Sequence, residues 1–136
     1  MSNHLPRTYH MNQDLILARQ LGKPIVALES AVITHGLPHP ENLNTARALE
    51  AAVRENDAVP ATIALLAGRI HIGLTGQQLE ELANLEKTRK ISLRDFGIAL
   101  AGELSGGTTV AATLFAAAQV GIRVFATGGI GGVHRG

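Results

Sequence analysis

Glu29 is the residue best placed to move a proton. It follows Ile25-Val26-Ala27-Leu28, an apolar and partly β-branched run that predicts a buried strand opened by Pro24. Ligands of open α/β sheets bind at the carboxyl ends of strands, and burial there lifts a carboxyl toward the range of a general acid. A carboxylate in that place can equally leave the sheet edge for water or pair with an arginine. Ser30 beside it reads as a turn hydroxyl more readily than as a nucleophile. Gly106-Gly107-Thr108-Thr109-Val110 precedes an Ala-rich helical stretch, where free amides, the helix dipole and two hydroxyls would face an anion. The same residues also make a plain turn and N-cap. Lys90, Arg94 and Asp95 offer either an anion-binding cation or a solvated charged face. The run Thr127-Gly128-Gly129-Ile130-Gly131-Gly132 lets backbone approach a ligand closely, but it has neither the dinucleotide fingerprint nor a Walker lysine. A nucleotide-dependent phosphotransferase is therefore disfavoured. Among the 6 histidines, no pair has the spacing of a helical zinc site.

Positioning these groups requires alternating helices and strands. The 136 residues make one domain at most, and with 46% hydrophobic but only 3% aromatic residues the core must be built from Ala, Val, Ile and Leu. Residues 1–12 are polar and predict a loose lead-in; residues 13–136 read as part of a single α/β domain. Helical spacing runs from Asp14 to Leu21 and ends at Gly22, and a second helix is predicted from Glu41 to Asn56 after a loop holding His35, Gly36, Pro38 and Pro40. Thr62–Leu66 predicts a strand, with Arg69–Gly73 returning as a hairpin after Ala67-Gly68. Thr75 caps a helix over 77–85, Ser92 caps another over 93–100, and an apolar helix from Thr108 to Val120 leads to a strand over 122–126. The alternation predicts an α/β layered domain.

The remaining composition narrows the function classes. A net charge of +1, from 12 basic and 11 acidic residues, gives no footprint for nucleic acid or an anionic membrane. Zero cysteines exclude disulfides, thiolate metal sites and thiol nucleophiles. No apolar run reaches the roughly 18 residues of a membrane span, and the first residues lack a secretory signal's apolar core, so a cytoplasmic setting is the expectation.

Five ordered blocks carry a more specific message. Ala27-Leu28-Glu29-Ser30 with His35-Gly36, the stretch 58–64, Lys90-Ile91-Ser92-Leu93-Arg94-Asp95, Gly107-Thr108-Thr109-Val110-Ala111 and the stretch 126–136 together resemble the pseudouridine-5′-phosphate glycosidases. The resemblance covers roughly residues 20–136 and implies a layered α/β/α enzyme, a homotrimer using Mn²⁺, that interconverts pseudouridine 5′-phosphate and water with uracil and ribose 5-phosphate. It assigns Glu29 as proton donor, Lys90 as a substrate-binding lysine and Val110 as a backbone contact, with Thr109 and His134 as phosphate neighbours. Ala31 and Leu93 stand where the family has Thr and Arg, which removes a positive charge from beside Lys90. The family's metal-binding aspartate and imine-forming lysine follow the Gly-Gly-Val-His-Arg-Gly block, in proteins more than twice this length. The resemblance therefore implies an amino-terminal portion without metal ligands of its own, inactive alone and with exposed sheet edges. The competing expectation is a non-catalytic module that binds a phosphosugar or a protein partner.

Overall fold

The computed structural model describes residues 5–131. Its centre is β3 (Val59–Leu66), an eight-residue strand whose last seven residues are buried. The chain order around it is β1 (Tyr9–Met11), α1 (Gln13–Gln20), β2 (Ile25–Leu28), a π-helical turn (Val32–Gly36), α2 (Glu41–Glu55), β3, β4 (Arg69–Ile72), α3 (Gly76–Asn84), β5 (Arg89–Ile91), a 3₁₀ turn (Leu93–Asp95), α4 (Phe96–Ala101), β6 (Gly106–Thr108), α5 (Val110–Gln119) and β7 (Val124–Ala126). Side chains on a strand alternate between faces, and β3 uses both. Ala61, Ile63 and Leu65 join Leu15 of α1, Phe96 of α4 and Ala112 and Ala116 of α5; Ala64 and Leu66 join Leu43 and Ala46 of α2 and Leu79 and Leu82 of α3. Helices thus cover both faces of the sheet, which is the layered α/β/α arrangement expected. Each fully buried Ile or Leu contributes about 1.5–3 kcal/mol.

The sheet is mixed, and it forks. β3 pairs antiparallel with β4 through Ile63–Leu66, and β4 pairs parallel with β1. On the other flank, Val59–Thr62 pair parallel with β2, whereas Ala64 and Leu65 pair antiparallel with Gly107 and Gly106 of β6. Between the two stands Ile63, whose carbonyl accepts hydrogen bonds from Ser30 Oγ (2.5 Å) and Thr108 Oγ1 (2.7 Å). Pro60 fits because β4 pairs only from Ile63 onward, so no neighbour on that side needs its missing N–H.

Several elements match expectation and others correct it. β2 and the β3–β4 hairpin stand where expected, and Thr75 caps its helix as expected, in a capping box with Gln78. The lead-in is not loose throughout: Tyr9–Met11 form β1, because the register Tyr9↔Ile70 to Met11↔Ile72 buries Tyr9 and Met11 against the core. Gly106–Thr108 form a strand, so the helix begins only at Val110, with Thr109 as its N-cap. Lys90, weighed with Arg94 and Asp95 as a charged face or an anion contact, lies in a strand, β5, beside β6. Leu114, Phe115 and Val124 are apolar side chains between 41% and 54% accessible. Among the described residues no helix is long and apolar enough to cross a membrane.

Candidate functional site

The fork opens a cleft of about 390 Å³ between β2, the π-helical turn, β5 and the start of α5. Glu29, Lys90, Thr109 and Val110, singled out from segments far apart in sequence, all line it, as does His35. His134 lies outside the described residues.

Glu29 reaches the cleft because β2 ends at Leu28 and Ser30 then turns inward. Ser30 is fully buried; its hydroxyl donates to Ile63 O and accepts from Thr108 N at 2.8 Å. That bond makes Ser30 a structural bolt, as a turn hydroxyl should be, and leaves the adjacent carboxylate facing outward. Glu29 is partly exposed, so its setting is less enclosed than a buried strand end suggests. Among the described residues the ion pairs are Arg47–Glu80 and Arg54–Glu50, and no described arginine pairs with Glu29.

Its partner is a hydroxyl. β2 and β7 run parallel with Leu28 opposite Ala126, so the residues that follow, Glu29 and Thr127, emerge side by side, and Thr127 Oγ1 donates to Glu29 Oε1. Gly129 N donates in turn to Thr127 Oγ1 at 3.3 Å. Sequence reading places Thr127 only in the glycine run; the signal for its hydroxyl is its position, one step past a strand parallel to β2.

Lys90 is exposed on β5, opposite Gly107 of β6. Neither glycine of β6 has room for a side chain: a Cβ on Gly106 would strike the Arg89 carbonyl oxygen, and one on Gly107 would stand 2.6 Å from Ser30 O. The approach of Lys90 to the fork therefore depends on Gly106 and Gly107. Thr109 N donates to Ile91 O at 3.0 Å, and Thr109 Oγ1 accepts from Ala112 N at 3.3 Å. The first-turn amides of Val110 and Ala111 have no intrahelical acceptor, and both residues line the cleft. Two amides at a helix start with no partner among the described residues, beside a lysine, form an anion-binding corner. Asp95 and Arg94 take no part in it. Asp95 accepts from Ser92 N (2.8 Å) and Ser92 Oγ (2.6 Å), and these bonds, led by the hydroxyl, hold its carboxyl below the usual range. Leu93, where the resemblance expects an arginine, is 45% exposed.

Residues 15–136 match the family model described as indigoidine synthase A like protein. The chain belongs to this family. The chain is 54% identical over 132 residues to pseudouridine-5′-phosphate glycosidase 1 of Rhizobium johnstonii, covering 97% of this chain and 41% of that protein. It is 57% identical over 132 residues to the pseudouridine-5′-phosphate glycosidase of a Jannaschia species, covering 97% and 43%. Its fold matches the crystal structure of the prealnumycin C-glycosynthase AlnA in complex with ribulose 5-phosphate, with a TM-score of 0.83, 42% identity and coverage of 96% of this chain and 42% of AlnA. The chain thus spans about two fifths of the length of the relatives it matches.

Proposed function

We propose that the chain carries the proton-donating and phosphate-holding part of a pseudouridine-5′-phosphate glycosidase site. The observation that carries this reading is the convergence of Glu29, Lys90, Thr109 and Val110 on one cleft. Glycosidases of that name share 54% and 57% identity with it, and AlnA was crystallised with a pentulose phosphate. In the reaction, the bond between uracil C5 and ribose C1′ breaks with its electron pair moving to the ring. C5 takes a proton, and C1′ ends bearing the oxygen of water. Glu29 supplies the proton, held in place by Thr127. Lys90 and the Val110 and Ala111 amides hold the phosphate, which fixes the sugar relative to the acid.

The covalent step belongs to the part of the relatives that the chain does not span. The resemblance implies Mn²⁺, but among the described residues no three His, Asp or Glu side chains group to hold a metal, so these residues alone do not fit the ion and no step runs through it. Homotrimeric assembly and a cytoplasmic setting come with the reading as further proposals.

Calorimetric titration of ribose 5-phosphate into the 136-residue chain is expected to show saturable binding that Lys90→Ala weakens by tenfold or more, and chromatography to show no pseudouridine 5′-phosphate from uracil, ribose 5-phosphate and Mn²⁺. Absence of binding would overturn the phosphate assignment. Where the remaining segment of the Rhizobium johnstonii relative restores turnover, Glu29→Gln should cut kcat by about a hundredfold or more. An unchanged kcat would remove Glu29 as the acid.

A further inference from the structure

We infer that His35 is a further ligand-binding residue of this cleft, donating from Nε2 to the phosphate; the inference rests on the phosphosugar reading of the site. The turn that carries His35 is fixed by buried groups. Ile33 N and Thr34 N both donate to Ser30 O, at 3.0 and 3.3 Å, and buried Asn42 Nδ2 donates to Ile33 O at 3.0 Å and to Ala83 O at 2.9 Å, tying the turn to the end of α3. Gly107 provides the space on the other side, since a Cβ there would collide with Thr34 Oγ1. Single π-turns within helical segments recur at functional sites. Around this rigid base, the His35 ring itself is exposed and lines the cleft with Lys90 and Thr109.

The ring's orientation is set by one bond. His35 Nδ1 and Thr34 Oγ1 are 2.7 Å apart. If the hydroxyl donates, the imidazole is neutral with its proton on Nε2. If the ring is an imidazolium, Nδ1–H donates to the hydroxyl and Nε2–H is again present. Both states that suit an anion turn an N–H donor away from Thr34, so the cleft gains a directional contact to add to the point charge of Lys90. No role in the proton transfer from Glu29 is needed of it.

The test is titration of ribose 5-phosphate and of unphosphorylated ribose into the 136-residue chain and its His35→Ala, His35→Gln and Thr34→Val forms, with the imidazole nitrogens followed by NMR. His35→Ala should weaken ribose 5-phosphate binding about tenfold, the worth of one charge-assisted hydrogen bond. His35→Gln should restore part of it, Thr34→Val should cost a few-fold, and ribose affinity should not respond. The Nε2 resonance of His35 should shift on saturation with ribose 5-phosphate. Binding that Lys90→Ala abolishes but His35→Ala leaves intact would overturn the role of His35 while sparing the cleft. A parent chain that binds no ribose 5-phosphate would overturn both.

Discussion

The two flanks of β3 are held together by different means. On the β4 side, Ile70 and Ile72 pair with Leu65 and Ile63, and all four are at most 2% exposed. On the fork side, the pairing residues are Gly106 and Gly107, and the buried neighbours are the hydroxyl-bearing Ser30, Thr108 and Thr113. Thr108 Oγ1 lies 2.9 Å from Thr113 Oγ1, so the hydroxyls form a connected set, and among the described residues no buried side-chain polar atom lacks a partner. One flank gains stability from volume, the other from small size and satisfied hydrogen bonds. A site needs the second kind, because bulky side chains would fill the space that a ligand must enter.

The contrast predicts opposite sensitivities. On the closed flank, Ile72→Ala removes a fully buried side chain and should lower unfolding free energy by about 3–4 kcal/mol in urea titrations. A cost below about 1 kcal/mol, the scale of a conservative core swap, would show that this flank does not depend on volume. On the fork, adding one methyl should do comparable harm: Gly106→Ala should cost about 3 kcal/mol through overpacking. Gly97→Ala, where nothing lies within 4 Å of the new Cβ, is the control, and equal effects at the two glycines would break the comparison.

Ser30→Ala sharpens it. That change leaves the buried Thr108 N–H without its 2.8 Å acceptor and should cost about 2 kcal/mol with little change in packed volume. The smallest effect belongs to the closed flank. There His10 and His71 face each other with ring centroids 5.1 Å apart, and burial first, then the charges of His10 and Arg69, lower His71 to about 4. The unfolded chain takes up this proton near pH 6.5, so stability present above pH 6.5 is lost as pH falls toward 4. Because the ring is only half-buried, the loss should be about 1 kcal/mol once solvent screening is allowed for, and His71→Gln should flatten the pH dependence of the urea midpoint.

Sequence made the apolar strands easy to read and the short polar or glycine-rich ones hard. Ile25–Leu28 and the hairpin around Ala67-Gly68 declare themselves through apolar runs and turn residues, and Glu29 could be placed from β2 alone. Gly106–Thr108 could not, because Gly-Gly-Thr has little strand propensity and an apolar helix follows at once. Pairing with Arg89–Ile91 and Ala64–Leu65 overrides that local preference. β1 was hidden for a related reason: three residues in a polar stretch become a strand only through their register with β4. The convergence of Lys90 with Glu29 was expected from family resemblance, since no periodicity links residues on β5 and β2. The roles of Thr127 and His35 went unread because they come from strand register and from a π-turn.

The fork also has a consequence in time. Its bonds join residues 33, 45 and 78 positions apart in the chain, from Ser30 to Ile63, Ile63 to Thr108 and Ser30 to Thr108. Closing such loops costs entropy before any contact repays it, whereas the β3–β4 hairpin needs only a two-residue turn. The hairpin and its core can therefore gather first, and the cleft is assembled late, when β2 and β6 meet at a single carbonyl. A part that forms late and rests on few contacts is also the part that opens most readily, so a phosphate held across it would act on the folding equilibrium as well as on the chemistry.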